Sequence, residues 1–295
     1  MKVRFFLVAA VAAAVAAPSA ASAHPGLPLN VFDPVSTSWA SVRDATEAQF
    51  HDAVDARAGQ NMIMVDLEAD SGAGGPRFGG VFQRNSDDRR WIVDVTLTEA
   101  ELEAGPVDQW DPELRLVDVE VYLNRDGVRT FAALWVENLE GYGWTTAHDL
   151  TAAQAQDLYE AQRRDRLPID VDVYPWAGGG VRYAMIWLDN PGHLDWRLHL
   201  DQSSAQFAAS FDAYSDAGLR LLMVDSAVRT GAGQRYASIW LDNTNGRQWR
   251  ERRDLTSAQY ATWWDTYARD GFRLITYERY ETAAGTRYAG VWRQN

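Results

Sequence analysis

Apolar and polar positions follow one recurring order along most of this chain. A short run opened by Trp is followed by a stretch with helical spacing, then by two runs of partial alternation separated by glycines. The helical stretch is clearest near the end, where Tyr260, Trp264 and Tyr267 fall at i, i+4 and i+7 on one face. Its start is marked by a hydroxyl and, three residues on, Gln or Glu: Thr46/Gln49, Thr98/Glu101, Thr151/Gln154, Ser203/Gln206 and Thr256/Gln259. That spacing is the capping box, in which two side chains satisfy orphan N–H groups of the first turn. Leu97 with Leu102 and Leu255 with Tyr260 are placed to staple the cap. Gly59, Gly218 and Gly271 are expected to end three of these helices in left-handed caps. Leu114 to Tyr122 and Phe272 to Tyr280 read as strands, with a second strand after the glycines. The Trp-led run reads as a third strand, reached through Asn-x-x-Gly turns such as Asn138 to Gly141 and Asn243 to Gly246.

The order is a true repeat. Trp39, Trp91, Trp144, Trp196 and Trp249 stand 52, 53, 52 and 53 residues apart, and Asn85, Asn138, Asn190, Asn243 and Asn295 keep the same rhythm. Before each Asn comes one phrase, from Phe78-Gly-Gly-Val-Phe82 to Tyr288-Ala-Gly-Val-Trp292. The predicted fold is α+β: five tandem αβββ units of about 52 residues, near 39–90, 91–143, 144–195, 196–248 and 249–295, preceded by a linker at 24–38. A unit of this size buries only ~60% of its unfolded surface, so neighbours are expected to share a core. The N-terminal piece supplies a third strand that the C-terminal piece lacks. This offset predicts closure into a ring or propeller-like toroid in which the first strand completes the last sheet. The competing arrangement is an open solenoid with frayed ends.

Residues 1–23 change the picture of destination. Lys2 and Arg4, the apolar run Phe5 to Ala17 and Ala21-Ser-Ala23 form a secretory signal, with cleavage expected after Ala23 and a secreted or periplasmic product. Loss of Lys2 and Arg4 takes the formal charge from −13 to −15, a balance that disfavours nucleic acid and anionic membranes as partners. There is no cysteine, so stability must come from burial. Lys2 is the only lysine, which removes lysine-based catalysis from the mature chain.

Known catalytic signatures are missing: no Gly-x-Ser-x-Gly elbow, no His-Glu-x-x-His helix, no phosphate loop. A metal on His24, or on His193, Asp195 and His199, has a plainer alternative in each case, an arbitrary residue after the cleavage site and a polar hairpin rim beside Trp196, so no metal and no cofactor are expected. Nine Trp residues belong to the two repeating series and are expected in the core. Trp110, Trp176 and Trp263 fall outside it. Trp176, with Tyr174 beside it in a Gly-rich loop, reads as an exposed binding platform, with Trp110 and Trp263 as further candidates. Arg77, Arg182, Arg235 and Arg287 each precede the aromatic of the second strand and are expected to pair with first-strand acids such as Asp225 or Glu278.

Gly271-Phe-Arg-Leu-Ile275, Arg287-Tyr-Ala-Gly-Val-Trp292 and the capped Leu255-Thr-Ser-Ala-Gln-Tyr260 helix together resemble the bacterial tandem repeat in the N-terminal part of polyglycine hydrolase-like proteins. Gly218-Leu-Arg-Leu-Leu222 with Arg235-Tyr-Ala-Ser-Ile-Trp240 matches equally well, while Pro112 to Leu116 and Arg166 to Ile169 depart from the pattern. The resemblance implies that hydrolysis belongs to a separate domain with a Ser-x-x-Lys motif, which this chain lacks. What remains is the repeat part, expected to act as a non-catalytic scaffold for a peptide, glycan or protein. The alternative is a peptidase-like hydrolase or metal enzyme with an unfamiliar site, or an accessory subunit of a separate hydrolase. A binding scaffold predicts a shallow aromatic surface without perturbed titratable groups; an enzyme predicts a pocket where they converge.

Overall fold

The computed structural model describes residues 36–72, 74–106, 113–176, 179–229, 231 and 233–295. The signal segment, His24 and Trp110 lie outside the described residues. Unit 1 comprises β1 (Trp39–Ala45), α1 (Glu47–Ala58), β2 (Met62–Gly72) and β3 (Gly75–Arg84). Unit 2 has β4 (Trp91–Leu97), α2 (Glu99–Ala104), β5 (Leu114–Leu123) and β6 (Arg129–Glu137). Unit 3 has β7 (Trp144–Leu150), α3 (Ala152–Gln162), β8 (Arg166–Pro175) and β9 (Val181–Asp189). Unit 4 has β10 (Trp196–Gln202), α4 (Ser204–Asp216), β11 (Leu219–Arg229) and β12 (Gly233–Asp242). Unit 5 has β13 (Trp249–Leu255), α5 (Ser257–Arg269), β14 (Phe272–Thr282) and β15 (Gly285–Gln294). Among the described residues no helix is long and apolar enough to cross a membrane.

All five capping boxes are present, each with the hydroxyl accepting from the residue three on and that residue's side chain accepting from the cap N–H. Gly218 and Gly271 do adopt left-handed backbone. Gly59 does not; it is right-handed, and the left-handed turn falls on Asn61. Asn61 immediately precedes β2, as Gly218 precedes β11 and Gly271 precedes β14, so the exit from the helix is conserved in register although the residue differs.

Strand pairing corrects the expected connectivity. Each unit builds its own three-stranded antiparallel sheet, with the strand of the repeated phrase in the middle: β1-β3-β2, β4-β6-β5, β7-β9-β8, β10-β12-β11 and β13-β15-β14. The Trp-led strand therefore belongs with the helix that follows it, and among the described residues no sheet is completed by a strand from the other end of the chain. The turn residues explain why. Asn85 donates through Nδ2 to Arg89 O at 2.8 Å and accepts from Arg89 N–H at 3.0 Å. Those side-chain bonds take the place of a hairpin's cross-strand bonds and send the chain on to the next unit. Asn138 with Tyr142 and Asn190 with Leu194 repeat the pair.

The first and fifth units meet. Asn295 holds Thr37, two residues before Trp39, by the same two bonds, 2.9 Å to its carbonyl and 3.0 Å from its N–H. Arg89, Tyr142 and Leu194 also stand two residues before a leading Trp. Aromatic contacts follow suit: Trp249 lies 5.1 Å from Phe211 of the preceding helix, and Trp39 lies 5.1 Å from Trp264 of α5. The post-helix strands touch in succession, β2 on β5, β5 on β8, β8 on β11, β11 on β14, and β14 on β2.

Burial separates the two Trp series, which were expected to be core alike. Trp187, Trp240 and Trp292 are fully buried and Trp135 nearly so. Most leading Trp residues are half-buried instead and stack edge-on against the preceding unit, as Trp249 does on Trp240 and Trp91 on Phe82; Trp196, buried, meets Trp187 in the same way. One series fills cores; the other forms seams.

Candidate functional site: an acid-lined cavity

The post-helix strands each carry a β-bulge at Val65, Val117, Ile169, Leu222 or Ile275, where the register with the middle strand shifts by one. A bulge re-aims the residues that follow it. Here it turns two positions per strand inward. The first holds Asp66, Asp118, Asp170, Met223 and Thr276; the second holds Glu68, Glu120, Asp172, Asp225 and Glu278. A cavity of about 80 Å³ opens among them, lined by residues of all five units, including the bulge aliphatics, Asp66, Asp118, Asp170, Arg220, Glu120 and Glu278. That volume holds about five waters.

Each post-helix strand is an edge of its sheet, so one row of its N–H groups lacks a strand partner. The acids supply acceptors. Leu67 N–H donates to Asp118 Oδ2 at 2.8 Å, Val119 N–H to Asp170 at 3.0 Å and Tyr277 N–H to Asp66 at 2.8 Å. One layer deeper, Val121 N–H donates to Asp172 at 2.7 Å and Val173 N–H to Asp225. In every case the donor belongs to the preceding unit, counting unit 5 as preceding unit 1.

Burial dominates the electrostatics. It pushes Asp118 up to about 7, and burial with neighbouring carboxylates raises Asp66, Glu68, Glu120, Asp170, Asp172 and Glu278 well above the usual range. Asp225 is raised less, because interaction with the Glu278 side chain and the N–H groups of Val173 and Ser226 offsets part of the effect of burial. Glu68 Oε2 and Asp118 Oδ1 have no hydrogen-bond partner. Among the described residues, no three of these acids bring oxygens within 4.8 Å of one another, so they do not form a ready cage for a bare metal ion.

The residues chosen from the sequence are placed elsewhere. Tyr174 is only 3% exposed, and its hydroxyl donates to Asp149 Oδ1 at 2.7 Å, so it ties a strand together and offers no open platform. Trp176 is half-buried between two guanidiniums, Arg182 at 4.9 Å and Arg129 at 5.4 Å. Trp263 is also half-buried, under Arg252 at 4.3 Å and beside Tyr267. His199 is occupied by Tyr214, 2.8 Å away. The expected pairing of Arg235 with Asp225 does not form: Arg235 faces Asp201 at 3.6 Å, and Asp225 turns inward with Glu278.

The inner acids were missed because strands such as Leu114 to Leu123 alternate apolar with acidic residues, which reads as one buried and one wet face. A signal was available: an acid recurs at the second position in all five copies.

Among curated proteins, none matches this chain. One family, described as the polyglycine hydrolase-like structural repeat, matches residues 36–85, 107–138, 141–190, 193–243 and 246–295. With five matched copies covering most of its length, the chain belongs to the polyglycine hydrolase-like structural-repeat family.

Proposed function

We propose that this protein is an exported, non-catalytic binding scaffold whose five units close into a ring around the acid-lined cavity. The observation that carries this reading is the use to which the inner acids are put: although they converge on a cavity, as an enzyme would have it, they accept edge-strand N–H groups of the neighbouring unit and so serve as joints between units. Ring closure is supported by the seam between units 5 and 1, which repeats the Asn pair, the aromatic contact and the carboxylate bond of the covalently linked seams. Hairpin tips carry exposed apolar residues, Leu123 and Val128 on one and Val228 on another, and offer the contact surface for a peptide, glycan or protein.

Closure is tested with the double variant Thr37→Cys, Asn295→Cys in this cysteine-free chain. Intramolecular oxidation is expected; failure to cross-link, with the protein folded, removes the ring. Binding is tested by applying the mature chain to peptide and glycan arrays, with Leu123→Asp and Val128→Asp as controls that should lose capture.

A second reading is favoured by one observation. Asp118 lines a cavity, has a free Oδ1 and titrates at about 7, which is how a general acid looks. Hydrolysis of a glycine-rich peptide that disappears in Asp118→Asn would establish it and overturn the scaffold reading.

A further inference from the structure

Unit 2 departs from its siblings where it meets unit 3. Helix α2 has 6 residues, against 12, 11, 13 and 13 in the other units. The family match also breaks off across 86–106, the stretch that contains β4 and α2. In units 4 and 5 the helix begins with Ser204 or Ser257, and an Arg from the next Trp-led strand reaches over it. Arg43 donates to Ser257 Oγ at 3.0 Å and lies 5.3 Å above Tyr260, while Arg253 lies 4.1 Å above Phe207.

At the seam between units 2 and 3 every one of those residues is exchanged. Glu99 takes the serine position, Glu103 the position of Ala208 and Ala261, and His148 that of Arg43 and Arg253. Glu99 and Glu103, four apart on one helical face, and a ring nitrogen of His148 bring their ligand atoms within 4.8 Å of one another. His148 is 11% exposed; it packs against the edge of Phe131 at 5.3 Å. Its Nδ1 is buried without a hydrogen-bond partner, 3.9 Å from Asp149 Oδ2. Arg129 faces both Glu99, at 2.7 Å, and Asp149, and is the local counter-charge.

We propose that Glu99, Glu103 and His148 form a divalent-metal site of the zinc class that pins the short helix α2 to unit 3. One imidazole and two carboxylates on a solvent-facing seam are a nitrogen–oxygen donor set suited to zinc, with water completing the tetrahedron. Asp149, beside the imidazole, would orient it as outer-shell carboxylates do. The metal replaces mechanically what the missing helical turns supply elsewhere, where Trp264, Phe211 and Tyr159 stack on the next leading Trp.

The test uses metal-stripped mature protein titrated with Zn²⁺, read by calorimetry and melting temperature, with Co²⁺ absorption reporting the ligand set. One equivalent is expected to bind and raise the melting temperature. Glu103→Ala and His148→Arg restore residues that sibling units carry, so both should fold with an unchanged metal-free melting temperature. Each removes a ligand and should weaken zinc by at least about 10-fold, a loss that even outer-shell partners of a metal cause. No binding, or an equal zinc response in the double variant, overturns the proposal. His24→Ser is run in parallel: retained binding supports the seam site, and lost binding assigns the zinc to the N-terminus and overturns it.

Discussion

Units 1 to 3 and units 4 and 5 fill one strand position in opposite ways. The first three place Asp66, Asp118 and Asp170 in the inner layer, where each accepts a backbone N–H from its neighbour. The last two place Met223 and Thr276 there. Both halves keep the bulge, the three-stranded sheet and the acid one layer deeper. The carboxylate is therefore not needed to build a unit. It adds a directed bond across a seam at the cost of a buried ionisable group, and only part of the assembly carries it.

That contrast can be broken by pH. The inner carboxyls titrate near 4 when unfolded, whereas Asp118 titrates at about 7 in the folded chain and its neighbours are raised as well. Between those values the folded state holds more protons, so stability is whole below the unfolded pKa and falls as pH rises through the folded one. Asp118 alone contributes on the order of 4 kcal/mol to that loss. Thermal melts are expected to be several degrees lower at pH 8 than at pH 5; a flat profile would refute the electrostatic account.

Met223→Asp makes unit 4 like units 1 to 3. An added buried charge with little compensation should cost about 3 kcal/mol at pH 8 and much less at pH 5, in denaturant titrations at both values. Asp170→Ala runs the other way. It strands Val119 N–H and should cost about 2 kcal/mol even at pH 5, where charge no longer matters. The smallest effect concerns the helices that flank both halves: Thr256→Ala removes a cap and should cost about 1 kcal/mol in the same melts.

Much of the fold was legible because local chemistry repeats. Thr98 and Glu101 announce a helix start from sequence alone, and the structure places the same two hydrogen bonds there. The partnership of the Trp-led strand was not legible. An Asn-x-x-Gly turn between two strands reads as a hairpin, and only coordinates reveal that the Asn side chain uses up the bonds a hairpin would need. The inner acids were hidden for a similar reason. Alternation tells which residues share a face but not whether that face meets water, and Glu68, on the acidic face of its strand, is 2% exposed. Tyr174 erred in the other direction: a glycine-flanked aromatic reads as a loop tip, yet its ring is buried and its hydroxyl engaged.

The Asn295–Thr37 pair has a consequence for how the gene can be cut. Three residues separate Asn85 from Arg89, so a three-residue bridge from Asn295 to Thr37 would turn the terminal contact into an ordinary connection. New termini opened between Glu140 and Gly141 would then give a circular permutant with every sheet intact. On the proposed ring, the order of translation would then be free, and the reading frame could start at any of the five units.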